Sequence, residues 1–130
     1  MENSTIKIVL ANDHSLLLNG ITQVLDKDAQ HVQIVANARD FKELLLLLNK
    51  VEADILMTDD VMPHGTILAV IPIIKERYPH LKIIVSSMYE SFNPISVEVK
   101  TFVQGWISYT ATKEEFVKAI DIVYAGHTYL

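Results

Sequence analysis

One stretch constrains the fold of this chain more than any other: an apolar run, beginning at Asp54, that ends in two adjacent carboxylates and is stopped by Pro63. Its length and its abrupt end predict a buried β-strand with acid at the carboxyl tip. In open parallel α/β sheets, ligands bind at that edge. A carboxylate fixed there can bind a divalent cation or attack phosphorus as a nucleophile. Taken alone, this stretch is equally consistent with Asp59 and Asp60 as acidic loop residues that have no catalytic or ligand-binding role.

Short apolar strands alternate with helical segments along the whole chain. The predicted strands cover residues 6–11, 32–36, 54–59, 81–85 and 105–109. The predicted helices cover residues 14–27, 40–51, 66–78, 95–103 and 112–126. Asp40 and Thr112 each begin a sequence of capping-box form, with glutamate three residues later. Pro72 is expected to kink the third helix or to delay its start.

Five alternations of strand and helix predict an α/β fold, because parallel strands require crossover connections. We expect a doubly wound five-stranded parallel sheet with helices on both faces, in one domain of residues 1–130 with a core from about residue 5 to about residue 125. The right-handed crossover rule places the ends of the first and third strands side by side. Asn12, Asp13 and Asp59 should therefore share one cleft, whereas strand alternation predicts that Asp60 points to the opposite face.

Composition excludes several classes of function. The formal net charge of −5 provides no electrostatic footprint for nucleic acid, so we expect no DNA or RNA binding by this domain alone. The chain has no cysteine, which excludes disulfides and suits a cytoplasmic location. Its first residues lack the features of a signal peptide, and no apolar run is long enough to cross a bilayer, so we expect no membrane partner.

The five histidines, at positions 14, 31, 64, 80 and 127, do not form a spaced ligand set such as His-x-x-x-His. A zinc site is therefore not expected from the sequence. Surface or helix-capping roles are the better interpretation for each of them.

Two other functions use the same alternation of strands and helices. A flavin or nucleotide binder would need a glycine-rich phosphate cradle, but the only glycines are at positions 20, 65, 105 and 126. A phosphatase with an aspartyl nucleophile would suit Asp59. Such a phosphatase would require an additional cap or loop to enclose its substrate, and we identify no segment for one in the 130 residues.

The order of these residues resembles the receiver domain of two-component response regulators, which has a flavodoxin-like, CheY-like fold, over essentially the whole chain. The likeness is greatest to the LuxR-type group. Residues Ile6 to His14 are similar to its opening Ile-x-Ile-x-Leu-Ala-Asp-Asp-His, and Asp59 to Pro63 are similar to its Asp-x-x-Met-Pro turn. The resemblance implies a regulatory domain of a phosphorelay, not an enzyme beyond catalysis of its own phosphorylation and dephosphorylation.

The resemblance also implies roles for individual residues. Asp59 corresponds to the phosphoacceptor. The resemblance implies that the Mg²⁺ ligands are Asn12, Asp13, Asp59 and the backbone carbonyl of Val61. Ser87 corresponds to the residue that hydrogen-bonds the phosphoryl group. Ser87 and the aromatic Trp106 together correspond to the switch residues that move on activation. Tyr109 stands where the family has a lysine.

Two of these residues depart from the family pattern. Asn12 replaces an acid, so we expect weakened Mg²⁺ binding. Tyr109 is a neutral phenol, which can hydrogen-bond a phosphate but cannot neutralise it. A cation at ~4 Å with an effective dielectric constant of ~20 stabilises an anion by at most about 4 kcal/mol, and this contribution is lost. We therefore expect a degenerate phosphorylation site, with impaired or absent phosphorylation.

The resemblance implies partners as well. A sensor histidine kinase or phosphotransfer protein would deliver the phosphoryl group, and apolar residues of the first and last helices permit a homodimer. LuxR-type regulators carry a helix-turn-helix DNA-binding domain after the receiver, so we expect transcription to be regulated through such a domain, missing here after Leu130. The alternative is a phosphorylation-independent pseudo-receiver that acts as a protein-interaction or dimerisation module.

Overall fold

A computed structural model describes residues 5–62, 65–87 and 102–129. The strands in these residues are β1 (Ile6–Ala11), β2 (Val32–Ala38), β3 (Ile55–Asp59), β4 (Val61–Met62), β5 (Gly65–Thr66), β6 (Lys82–Ser87) and β7 (Gly105–Ser108). The helices are α1 (Ser15–Asp28), α2 (Phe41–Leu48), α3 (Ile67–Arg77) and α4 (Lys113–Tyr124). None of these described helices combines the length and the apolar character needed to span a bilayer.

Five of the strands form one parallel sheet in the order β2-β1-β3-β6-β7, while β4 and β5 pair as a short antiparallel hairpin. The predicted doubly wound parallel sheet is confirmed. Strand β1 lies between β2 and β3, and the crossover from β1 to β2 leads away from β3. The carboxyl ends of β1 and β3 therefore lie side by side at the point where the strand order reverses, which is where such folds bind ligands.

Apolar side chains cover both faces of the sheet. In β1, Ile8 and Leu10 pack in the core cluster under α1 and α4, whereas Val9 packs in the cluster under α2 and α3. All three side chains are at most 1% exposed. A strand that is apolar on both faces is typical of a parallel sheet covered on both sides.

Both predicted capping sequences begin helices. The Asp40 side chain accepts a hydrogen bond from the backbone N–H of Glu43 at 2.7 Å, at the start of α2. At α4, the Thr112 hydroxyl accepts from the N–H of Glu115 at 3.1 Å, and the Glu115 carboxylate accepts from the N–H of Thr112 at 2.8 Å. Each interaction satisfies a helix N–H that has no partner within the helix.

Several element ends differ from the sequence predictions. Strand β2 continues to Ala38, because its last residues pair with the end of β1. Helix α2 ends at Leu48 instead of Val51, and α3 runs through Pro72 without interruption of the helix. The turn predicted at residues 63–65 is flanked by β4 and β5, with residues 63–64 outside the described residues. Except for its last two residues, the helix predicted for residues 95–103 also lies outside them.

The end of the chain returns to the sheet. Gly126 has a φ of 102°, a left-handed conformation that favours glycine and turns the chain after α4. Tyr129 then donates its N–H to the carbonyl of Gln104 at 2.9 Å and accepts from the N–H of Trp106 at 2.8 Å. The open edge of β7 is thereby partly covered, which limits pairing with another chain.

We expect Gly105→Val to destabilise the protein. A Cβ atom at Gly105 would lie 3.0 Å from Cγ1 of Ile84 and 3.2 Å from Cγ2 of Val123, and the valine methyl groups would add to this crowding. Overpacking of this kind costs about 1–3 kcal/mol. Urea unfolding followed by far-UV circular dichroism measures the change in the free energy of unfolding.

The control is Gly20→Ala, in the middle of α1, where an added Cβ meets nothing within 4 Å. Alanine inside a helix is favoured over glycine by about 0.5–1 kcal/mol, so this variant should be more stable than wild type. A Gly105→Val protein as stable as wild type would contradict the close packing of β7 against β6 and α4.

Candidate functional site

Polar side chains follow four neighbouring strands at the carboxyl edge of the sheet. Asn12 and Asp13 follow β1, Asp59 ends β3, Ser87 ends β6 and Tyr109 follows β7. Asn12, Asp59 and Ser87 are 2%, 5% and 0% exposed, respectively. Buried polar groups require hydrogen-bond partners, so the contacts among these residues define what the cleft can do.

A chain of hydrogen bonds joins three of these residues. The amide Nδ2 of Asn12 donates to the hydroxyl oxygen of Tyr109 at 3.2 Å. The Tyr109 hydroxyl in turn donates to the carboxylate of Asp59. The amide oxygen of Asn12 accepts from the backbone N–H of His14 at 2.8 Å. Asn12 is thus engaged at both ends, and its neutral amide orients the phenol towards the carboxylate.

Asp60 lies in the cleft, and the prediction that it points away from Asp59 is wrong. Strand β3 ends at Asp59, so the alternation of faces does not extend to the bend at Asp60. The backbone N–H of Asp60 donates to Oδ1 of Asp59 at 2.8 Å. Its Oδ2 accepts from the Ser87 hydroxyl at 3.1 Å. Asp60 therefore links the end of β3 to the end of β6.

Burial is the largest cause of the shift in the pKa of Asp59. Burial and the neighbouring Asp60 raise the pKa of Asp59 from 3.8 to about 6, against the opposing effect of the Tyr109 hydrogen bond. Burial and the hydrogen bond to Asp59 also raise the pKa of the Tyr109 phenol above its ordinary value. At neutral pH the site therefore holds an ionised Asp59 beside a neutral phenol.

Three side chains of the cleft are placed to hold a metal ion. One ligand atom from each of Asp13, His14 and Asp59 lies within 4.8 Å of the other two. Magnesium is usually held by one or two carboxylates together with water, so Asp13 and Asp59 fit such an ion. The amide of Asn12 faces His14 and Tyr109 instead, and the roles of Asn12 and of the Val61 carbonyl as ligands stay predictions.

His14 is the residue of this group that the sequence did not suggest. It occupies the N-cap position of α1 and is exposed, but its side chain makes no capping hydrogen bond, so the structure fits the expected surface position and not a capping role. Its ring turns instead towards the carboxylates. The sequence indicated only that His14 lies next to Asp13. The third residue of the group, Asp59, ends β3 and is distant along the chain.

Trp106 lies in β7, beside the cleft residues of β6. Its register partner in β6 is Val85. The half-buried indole packs against the core cluster under α2 and α3. A role in a conformational switch, expected from the resemblance for Trp106 and Ser87, stays a prediction.

Comparisons with known proteins agree with this arrangement. The response regulator receiver domain family matches residues 8–121. The chain is 29% identical over 126 residues to the oxygen regulatory protein NreC of Staphylococcus haemolyticus, in a match that covers 96% of this chain and 58% of NreC. The chain therefore spans just over half the length of this curated relative.

Solved structures give the same result. The non-phosphorylated receiver domain of the stress response regulator RcsB from Escherichia coli is similar with a TM-score of 0.85 and 28% identity, over 96% of this chain and 97% of that one. The RcsB chain in a complex with DNA is similar with a TM-score of 0.85 and 27% identity, over 97% of this chain and 63% of that one.

Asp59 should make stability depend on pH. Its raised pKa means that the unfolded chain loses this proton first as the pH rises, so stability is lost between pH 3.8 and about pH 6. A shift of about two pKa units corresponds to about 3 kcal/mol. We expect Asp59→Asn to be more stable than wild type by up to this amount at pH 7 and to lose the advantage below pH 3.8.

Urea unfolding across this pH range measures the difference. Asp26→Asn, at an exposed position of α1, controls for the change in net charge. A constant difference between Asp59→Asn and wild type at every pH would show that the carboxyl group of Asp59 is not the cause.

Proposed function

Because this chain belongs to the response regulator receiver domain family, we propose that Asp59 accepts a phosphoryl group, at a lower rate than in a site that carries the family's lysine. The chain is the receiver domain of a two-component response regulator, with LuxR-type relatives. The observation that carries the proposal is the buried carboxylate of Asp59 at the switch point of the sheet, hydrogen-bonded to Tyr109.

Asp59 is suited to act as a nucleophile. Its pKa of about 6 leaves it ionised at neutral pH. In the proposed step, a carboxylate oxygen forms a bond to phosphorus while the bond between phosphorus and the donor's leaving group breaks. Asp13 and Asp59 would hold Mg²⁺, which supplies positive charge to the phosphoryl oxygens when bound. A sensor histidine kinase or phosphotransfer protein is the proposed donor.

Tyr109 slows this reaction in two ways. Its hydroxyl donates to the carboxylate that must attack, and a hydrogen bond to a charged group contributes about 1.5–3 kcal/mol. This bond has to be released or moved to a phosphoryl oxygen. The phenol also carries no charge, so the product lacks the stabilisation that an ammonium group would provide, at most about 4 kcal/mol.

The Asn12–Tyr109 contact supports a phosphorylation site that is altered but still present. In the family pattern an acid and a lysine occupy these two positions, and their joint replacement removes one negative and one positive charge. The net charge of the cleft is therefore the same, and the two neutral side chains hydrogen-bond each other at 3.2 Å. The unphosphorylated state therefore keeps a direct hydrogen bond between these two positions, while the phosphorylated state would lack the cation.

Ser87 and Asp60 provide a route for a conformational response. The Ser87 hydroxyl donates to Asp60 at 3.1 Å before phosphorylation. A phosphoryl group on Asp59 would compete for this donor with a stronger, charged acceptor. Ser87 is also joined to Tyr109 through a backbone hydrogen bond of 2.9 Å. Movement of Ser87 would therefore reach β7, where Trp106 lies.

One observation favours a second function, a phosphorylation-independent pseudo-receiver. Asp59 is held by the Tyr109 hydroxyl and by the backbone N–H of Asp60, so its resting conformation needs neither a phosphoryl group nor a metal. Such a domain would act through protein contacts or a homodimer in this single conformation. Exposed apolar side chains such as Leu16, which is 88% exposed, are available for contacts of this kind.

We also propose that the 130 residues form a single receiver domain whose output is transcription regulation through a separate DNA-binding domain. The relatives are longer, since the chain covers 58% of NreC and 63% of the RcsB chain solved with DNA. The net charge of −5 argues against DNA binding by the receiver itself.

Incubation with acetyl phosphate and Mg²⁺, followed by intact mass spectrometry, tests the proposal. We expect one phosphoryl group on wild type and none on Asp59→Asn. The Asn12→Asp/Tyr109→Lys double variant should be modified at least about tenfold faster, because an ammonium group then faces the phosphoryl oxygens.

The control is Thr110→Lys, which adds the same charge at an exposed neighbouring position and should leave the rate nearly unchanged because water and salt screen it. Modification that persists in Asp59→Asn would assign the phosphoacceptor elsewhere. No modification of wild type, together with modification of the double variant, would favour the pseudo-receiver function.

A further inference from the structure

An arginine side chain crosses the end of β1 at the rim of the cleft. Arg39 directly follows β2, and the carbonyl of Ala38, the last residue of that strand, accepts from the backbone N–H of Asn12 at 2.9 Å. Nη2 of Arg39 donates to the hydroxyl of Ser15, the first residue of α1, at 2.7 Å. The side chain therefore extends from the end of β2 to the start of α1, beside the turn that carries Asn12 and Asp13.

The start of α2 holds the backbone of this arginine in place. The N–H of Arg39 donates to Oε1 of Glu43 at 2.7 Å, and the N–H of Glu43 donates to the Asp40 side chain at 2.7 Å. These two bonds are those of a helix N-terminal capping arrangement. The backbone of Arg39 is thus fixed, whereas the residue is exposed and its long side chain can rotate.

The positive charge of Arg39 has a neutral partner. Neither of the two ion pairs among the described residues includes Arg39. The Ser15 hydroxyl accepts from one nitrogen of a guanidinium that carries five N–H donors. An anion from solution can therefore bind this guanidinium without displacing a carboxylate from it.

The contact with Ser15 places the guanidinium close to the phosphorylation site. Ser15 lies two residues after Asp13, so the Cα atoms of these residues are at most about 7.6 Å apart. A carboxylate oxygen of Asp13 in turn lies within 4.8 Å of one of Asp59. Rotation of the arginine side chain away from Ser15 therefore turns its donors towards a phosphoryl group that approaches Asp59.

A guanidinium is suited to a phosphoryl group, because it is always charged and its planar fork matches two phosphoryl oxygens. The Tyr109 phenol has neither property. We propose that Arg39 is a catalytic residue of phosphoryl transfer, whose guanidinium exchanges the Ser15 hydroxyl for the phosphoryl oxygens of the donor and supplies positive charge that Tyr109 lacks. The inference rests on the proposed function, because it concerns the same reaction at Asp59.

Phosphorylation by acetyl phosphate and, separately, by phosphoramidate in the presence of Mg²⁺ tests this role. An Asp59 oxygen forms the bond to phosphorus, and the P–O or P–N bond of the donor breaks to release acetate or ammonia. We expect Arg39→Ala to lower the second-order rate constant about five- to tenfold with both donors, because a charged, forked hydrogen-bond donor is lost. A loss with one donor alone would support the role and identify an acyl phosphate or a phosphohistidine as the donor class.

Two further readouts depend on the charge of Arg39. Arg39→Lys should keep part of the wild-type rate, since lysine retains the charge without the fork. Salt should slow wild type more than Arg39→Ala, because ions screen the attraction between the guanidinium and the donor. Equal salt dependence in the two proteins would contradict an electrostatic role.

Ser15→Ala separates this role from a structural one. If Arg39 acted only by holding the start of α1, loss of the Ser15 hydroxyl would slow phosphorylation as much as Arg39→Ala. We expect Ser15→Ala to react at least as fast as wild type, because the guanidinium no longer has to leave the hydroxyl. The matched charge control is Lys42→Ala, at an exposed position of α2, which should change the rate by less than about twofold. Equal losses in Arg39→Ala and either control would overturn the inference.

Binding of inorganic phosphate to Asp59→Asn tests the guanidinium without phosphoryl transfer. We expect phosphate to shift the NMR signal of the Arg39 Nε–H, and to shift it further when Ser15→Ala is added. Phosphorylation of wild type and Arg39→Ala at equal rates would overturn the inference and leave Asp59 as the phosphoacceptor. If no donor modifies wild type, the proposed function fails, and the phosphate titration decides the inference: a shift at Arg39 would support its binding of phosphoryl oxygens, and no shift would overturn it.

Discussion

The hydrogen-bond chain from Asn12 through Tyr109 to Asp59 is the interaction on which the cleft depends. It connects the ends of β1, β7 and β3, and Asn12 and Tyr109 are 97 positions apart in the sequence. A buried carboxylate is costly unless hydrogen bonds satisfy it. Here a phenol and a backbone N–H donate to the carboxylate, but burial still raises the pKa of Asp59 to about 6.

The chemistry of the cleft follows from this neutral pairing. A lysine in the place of Tyr109 would stabilise the phosphorylated aspartate more than the free one, because phosphorylation adds negative charge. The Asn12–Tyr109 pair stabilises the free carboxylate instead. The same pairing commits the Asn12 amide to the Tyr109 hydroxyl and to the backbone N–H of His14. These two residues therefore determine the hydrogen bonding around the Asp59 carboxylate.

The elements of the fold could be predicted because their signals are local. The alternation of apolar strands and helical segments indicated the five parallel strands, and the capping sequences at Asp40 and Thr112 marked two helix starts. Chain crossover rules then brought Asn12 and Asp59 to one edge. The return of Tyr129 to the edge of β7 had no such signal, because it depends on a backbone turn at Gly126 and a distant strand.

The sequence by itself determined the alternation of strands and helices and the meeting of Asn12, Asp13 and Asp59 at the carboxyl edge, since periodicity and the crossover rule specify both. Only the tertiary structure decided how those residues pair. The direction of Asp60, the approach of His14 to the carboxylates and the Asn12–Tyr109 contact depend on where each strand stops and how the chain bends after it. Such contacts join residues from separate elements, and a side chain's partner is chosen by packing and burial that no local pattern encodes.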